Sequence, residues 1–183
     1  MGLSRREGTF AEVGLRSWEE AGCAAVERIL MTGNEGVYTI HRPLVLRSAR
    51  AELERILRDW CDAPNKSARC DLILTVGGTG YSDADVMPEA TQPLLKRGAQ
   101  GIIEALRRAA LEAGQPQEAV SRGVAGMRGR TLLINLPGNV KGMADEDRLT
   151  LAMQTLLPFL PDILAAIMEC SGNGPGLTPA DEK

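Results

Sequence analysis

The chain has 183 residues, 44% hydrophobic and 25% charged, with a formal net charge of −3. That length suits one domain with a full core, while the mild acidity and the two residues each of Trp, Tyr and Phe argue against nucleic acid as a partner. No apolar run approaches the ~20 residues of a membrane span, and the charged opening MGLSRREGTF is not a secretory signal, so no membrane association is expected.

Residues 1–14, punctuated by Gly2, Gly8 and Gly14, show no sustained period and read as loop. From Ser17, the apolar residues Trp18, Ala21, Ala25, Val26, Ile29 and Leu30 recur at helical steps until Gly33-Asn34-Glu35-Gly36 stops them. Val37-Tyr38-Thr39-Ile40 is strand-like, and Leu44-Val45-Leu46 continues it beyond Pro43. Ser48 is placed to cap a second helix, whose inner face is Leu53, Ile56, Leu57 and Trp60. Asp71 then leads into Leu72-Ile73-Leu74-Thr75-Val76, an apolar run broken by Gly77-Gly78-Thr79-Gly80. Such a pattern is a buried strand entering a tight loop, and in open α/β sheets ligands bind outside the carboxyl ends of such strands. Glycine there admits an anion to backbone N–H groups, and Asp85 is a nearby acid.

A short helix at 88–91 is interrupted at Pro93 and ends near Gly98. A third amphipathic helix follows Gly101, with Ile102, Ile103, Leu106, Ala109 and Ala110 inward, and Gly114 ends it. Ala119–Ala125 and Thr131–Leu136 read as two strands of a hairpin joined through 126–130. A helical region fills Asp145–Cys170, broken at Pro158 and Pro161, and residues 171–183 read as a flexible tail. Strands alternating with helices imply an α/β fold, a three-layer sandwich with a mostly parallel, mixed central sheet and helices on both faces. Residues 1–170 form one domain. Cys23, Cys61, Cys70 and Cys170 have no metal-ligand spacing and His41 is the single histidine, so the thiols read as small buried hydrophobes in a reducing, cytoplasmic compartment.

Two segments carry a resemblance. TVGGTGYSDADVMPEAT followed by SRGVAGMRGRTLLINLPGN resembles the molybdopterin adenylyltransferase family, the MogA/MoaB-like proteins and the G domain of gephyrin-like proteins. That family typically shows TGGTG, then D-V-T-P-E-A-T, then S-R-x-x-A-G-x-R-G-x-T-L-I-x-N-L-P-G. The match runs from Asp71 to about Gly142. The resemblance implies transfer of an adenylyl group from ATP to the terminal phosphate of molybdopterin, with Mg²⁺ as cofactor, by a homotrimer or higher homo-oligomer. It also implies that Asp85 is catalytic and binds Mg²⁺ directly or through water. Gly77, Gly78, Thr79, Gly80, Glu89, Ser121, Arg122, Pro137, Gly138, Asn139 and Lys141 become substrate-binding residues. Taken one by one, the same residues have plainer readings: the glycines as a turn, Asp85 as a helix cap, Arg122, Arg128 and Arg130 as hairpin charges, and Pro137-Gly138 as a strand end.

The chain departs from the family at its start. The usual first strand, ending in Ser-Asp-Arg, has no counterpart before Ser4-Arg5-Arg6, as if an upstream segment were missing. An acidic segment expected before Ala51 is replaced by Arg47, Ser48 and Ala49, and Val140 stands where proline is common. A site short of one carboxylate binds phosphate yet holds Mg²⁺ poorly. This gives a second reading, a catalytically impaired pterin- or nucleotide-binding paralogue acting as a carrier or oligomeric partner.

Overall fold

The computed structural model describes residues 8–14, 19–31, 38–40, 44–45, 49–64, 69–138 and 145–169. Two strands at its centre, β4 (Leu72–Val76) and β7 (Thr131–Leu136), are buried along their whole length, as near-continuous apolar runs require. They pair in parallel with Leu72 beside Leu132 and Val76 beside Leu136. Beyond β4 lies β1 (Gly8–Gly14), which pairs in parallel with β4, β2 (Tyr38–Ile40) and β3 (Leu44–Val45). On the other side, β6 (Ala125–Arg128) runs antiparallel to β7, and β5 (Arg97–Gly98) antiparallel to β6. The sheet order is β2-β1-β4-β7-β6-β5, with β3 also on β1.

Alternation along the strands divides the core into two layers. Leu72, Leu74 and Val76, with Leu132, Ile134 and Leu136, pack against α1 (Glu19–Met31), α4 (Gln100–Glu112), α6 (Asp145–Leu156) and α7 (Leu160–Glu169). Ile73 and Leu133 face the opposite way, onto Leu53, Leu57 and Cys61 of α2 (Arg50–Asp62) and Met87 and Ala90 of α3 (Met87–Thr91). Each fully buried leucine or isoleucine in these layers contributes about 1.5–3 kcal/mol over an exposed one. The result is the expected α/β sandwich with a mixed, mostly parallel sheet and helices on both faces. No single helix among the described residues is long and apolar enough to cross a membrane. The apolar pair α6 and α7 has its buried residues on the sheet.

Three expectations change. Residues 8–14 are a strand, not a loop, so the sheet has its first strand, and it is central rather than missing. Its carboxyl end is Gly14, beside Val76, so Ser4-Arg5-Arg6 precedes the strand in sequence instead of following it. Further on, the strand expected over 119–125 begins only at Ala125. Pro116–Ala119 instead forms a short helix, α5, with Pro116 in its first turn. Finally, the residue capping α2 is Ala49, which supplies no side-chain bond, while Ser48 lies outside the described residues.

Within the second layer, the thiols of Cys61 and Cys70 are free and buried. Burial pushes Cys61 up to about 11 and Cys70 up to about 12, so both stay protonated and behave as hydrophobes. The hairpin cation Arg128 is tied to Asp62 at the end of α2 (Nη2 to Oδ2 2.5 Å), a fastening between two elements.

Candidate functional site

The register that places Gly14 beside Val76 and Val76 beside Leu136 also brings the carboxyl ends of β1, β4 and β7 level. The chain leaves β1 toward β2 on one side, while β4 is flanked on the other by β7, so these ends form a topological switch point. Gly77 and Gly78 turn the chain there at φ 88° and 65°, in the left-handed region that residues with a Cβ rarely occupy.

Hydrogen bonding polarises the loop. The Gly78 carbonyl accepts from Met87 N–H (3.1 Å), the Thr79 carbonyl from Arg122 N–H (3.0 Å) and the Gly80 carbonyl from Arg122 Nε (2.5 Å). Gly77 N–H donates to the Leu136 carbonyl (3.2 Å). The N–H groups of Gly78, Thr79, Gly80 and Tyr81 have no acceptor among the described residues. With its carbonyls tied to the protein and its amides unsatisfied, the loop is a ready donor set for an anion.

Asp85 folds back beside this loop. Its Oδ2 accepts from Ser82 N–H (2.9 Å) and from Ser82 Oγ (2.6 Å). A Cβ at Gly80 would sit 2.7 Å from that same oxygen, so glycine is what allows the carboxylate to lie there. Its Oδ1 makes no hydrogen bond among the described residues and is available to a ligand. The helix-cap reading of Asp85 does not hold, because the N-cap of α3 is Val86 and no side chain bonds to it.

Arg122 holds the loop in place. Besides Gly80, it donates through Nη2 to the Asp85 carbonyl (2.6 Å) and through Nη1 to Glu89 Oε1. Its guanidinium carbon lies 5.6 Å from the centre of the Tyr81 ring. Burial raises the Glu89 carboxyl, but the hydrogen bond and charge of Arg122 outweigh it and hold that group below its ordinary value. Arg122 and Glu89 thus neutralise each other beside the cradle and fix the shape of the 79–85 loop.

Asn135 on β7 is a second fastening, only 2% exposed. Its Nδ2 donates to Thr75 Oγ1 (2.8 Å) and Thr91 Oγ1 (3.0 Å), and its Oδ1 accepts from Val124 N–H (3.2 Å). One side chain thereby sets β4, α3 and the 121–124 segment against one another.

Ser121 sits beside Arg122, with its carbonyl taken by Arg107 Nη2 (2.9 Å). Ser121, Pro137 and Asn135 line a cavity of about 30 Å³ under the edge, room for a water but not a substrate. Pro137 and Gly138 follow β7 directly, next to the Leu136 carbonyl that Gly77 uses. Asn139 and Lys141 lie outside the described residues, as do Arg5, His41 and Arg47. Ser82 and Tyr81 are site residues that the sequence reading passed over. The Ser82-x-x-Asp85 spacing was the available signal for the first.

The family model described as the probable molybdopterin binding domain matches residues 28–161. The chain belongs to this family. Its members are domains of molybdenum cofactor biosynthesis. Over 115 residues the chain is 36% identical to gephyrin of Dictyostelium discoideum, covering 63% of this chain and 14% of that protein. Over 117 residues it is 32% identical to the molybdopterin adenylyltransferase of Helicobacter pylori (strain ATCC 700392 / 26695), covering 64% of this chain and 60% of that protein. It therefore spans less than two thirds of either relative. The solved structure of the molybdopterin biosynthesis enzyme MoaB from Thermus thermophilus is 31% identical, with a TM-score of 0.71 over 88% of this chain and 97% of that one.

Proposed function

We propose that this chain binds molybdopterin and transfers an adenylyl group from Mg-ATP to its terminal phosphate, a step of molybdenum cofactor biosynthesis in the cytoplasm. The observation that carries the reading is the run of N–H groups from Gly78 to Tyr81 at the switch point, none with an acceptor among the described residues. In the reaction, a phosphate oxygen of the pterin forms a bond to the α-phosphorus of ATP, the bond between that phosphorus and the bridging oxygen breaks, and pyrophosphate leaves with the electron pair. Little covalent chemistry falls to the protein, so catalysis is positioning and charge stabilisation. The Gly78–Tyr81 amides hold phosphate oxygens, and the Arg122–Glu89 pair keeps the loop from relaxing away from them.

Among the described residues no three His, Cys, Asp or Glu side chains gather into a protein-only metal cage. One carboxylate oxygen plus nucleotide phosphates and water is, however, a donor set that suits Mg²⁺, and Asp85 Oδ1 supplies that oxygen. When bound, Mg²⁺ neutralises charge on the phosphates. The reading carries with it the homotrimer or higher oligomer that the resemblance implies.

The segment Arg47-Ser48-Ala49, where the resemblance implies an acid, carries none, and this favours the second reading, a paralogue that binds but turns over poorly. The test is an adenylyl-transfer assay with purified protein, molybdopterin, ATP and Mg²⁺, alongside calorimetric titration with ATP. Pyrophosphate release that depends on molybdopterin supports the enzyme. Binding of ATP or pterin without release selects the paralogue, and no binding of either removes both.

A further inference from the structure

Tyr81, immediately after Gly80, is 74% exposed, yet it is not a loose surface ring. Its hydroxyl donates to the Val120 carbonyl (2.9 Å), and the Arg122 guanidinium lies 5.6 Å from the ring centre. An unconstrained surface tyrosine samples several rotamers. This one is fixed at its tip by a residue distant in sequence and backed by a cation that is itself held by Gly80, Asp85 and Glu89. The exposure leaves ring surface open to solvent. A pre-positioned aromatic face loses little entropy when a second ring stacks on it, and the cation–π contact with Arg122 helps to hold that face in place.

Position gives the face a purpose. Tyr81 is three residues beyond Gly78, a chain distance of at most roughly 11 Å. A phosphate in the amide cradle and a planar ring joined to it through a sugar-sized spacer fit that separation. We propose that Tyr81 is the stacking platform for the heteroaromatic ring of the phosphate ligand, the adenine of ATP or the pterin of molybdopterin. The proposal deepens the reading of the cradle and rests on it.

The experiment is calorimetric titration of the full chain and of its Tyr81→Ala and Tyr81→Phe variants. The probes are ATP, molybdopterin and inorganic tripolyphosphate, the last carrying phosphates without a ring. Tyr81→Ala is expected to weaken the ligand whose ring stacks there by about 5- to 100-fold. Tripolyphosphate binding stays at the wild-type value, and the ligand that does not weaken is the one whose ring lies elsewhere. Tyr81→Phe keeps the ring but loses the bond to Val120, so it retains most of the affinity. If the alanine variant fails to fold, Tyr81→Leu, which keeps apolar bulk without a π face, is expected to show the same ligand-selective loss. Unchanged affinity of Tyr81→Ala for both ring-bearing ligands overturns the proposal. So does an equal loss for tripolyphosphate, which would mean that Tyr81 only shapes the loop. A wild-type protein that binds tripolyphosphate but neither ring-bearing ligand also overturns it and leaves the cradle standing. Failure to bind any of the three removes the cradle itself.

Discussion

Replacing Asp85 by Asn is expected to lower molybdopterin-dependent adenylyl transfer by about 100-fold or more, with the fold unchanged. The asparagine carbonyl oxygen still accepts from Ser82 N–H and Oγ, so the loop keeps its path. What disappears is the negative charge of the carboxylate, which in the proposed reaction would hold Mg²⁺ against the phosphates. The same change removes a repulsion, so metal-free ATP binds at least as tightly as to the wild-type protein. Initial rates with Mg²⁺ and calorimetry in chelator measure the two effects. A rate close to wild type would strip Asp85 of its role, and a parallel loss of metal-free binding would make it a loop determinant instead.

The second large effect is on stability. Arg148 of α6 and Glu118 of α5 form an ion pair at 2.5 Å, with side chains 3% and 11% exposed. Burial pushes the Glu118 carboxyl up, and the charge and hydrogen bond of Arg148 pull it only part of the way back. Arg148→Met leaves that carboxylate without its cation and is expected to cost about 3–5 kcal/mol at neutral pH, read from denaturant midpoints. The sign of the pH dependence follows from the raised value. The folded protein binds the Glu118 proton more readily than the unfolded chain, so this group's stability is full below the ordinary carboxyl value and is lost as pH rises through the raised one. The Arg148→Met deficit therefore shrinks in mild acid, and adding Glu118→Gln recovers most of it at neutral pH. A deficit that is independent of pH and persists in the double variant would assign the loss to packing alone.

How legible the site was depended on the kind of signal. β4 and β7 announce themselves as apolar runs ended by glycine or proline, and the anion loop follows from Gly77-Gly78-Thr79-Gly80. β1 does not, because GTFAEVG is framed by glycines and has no apolar run. Its strand state is fixed by pairing with β4 from Phe10 to Gly14, a tertiary contact that local pattern does not contain. The helix at Pro116–Ala119 was obscured for a similar reason, since a single turn shows no period.

The roles of Arg122 and Glu89 lay deeper. The resemblance marked both positions for substrate, but only coordinates show that they bond to each other across 33 residues and that Arg122 gives its remaining donors to the Gly80 and Asp85 carbonyls. Sequence names the residues of such a network and leaves their partners open. Tyr81 is the same case: a tyrosine in a polar loop draws no notice until its hydroxyl is found on Val120 and its ring beside Arg122.

The central claim is that the amides after β4 receive phosphate. Its most direct measurement is an amide chemical-shift titration of the isotope-labelled full chain with Mg-ATP. The account predicts that the N–H signals of Gly78, Thr79, Gly80 and Tyr81, which have no acceptor among the described residues, show the largest shifts, while Gly77 N–H, already bonded to Leu136, moves little. Saturable binding with the largest shifts elsewhere, or none among these amides, would contradict it.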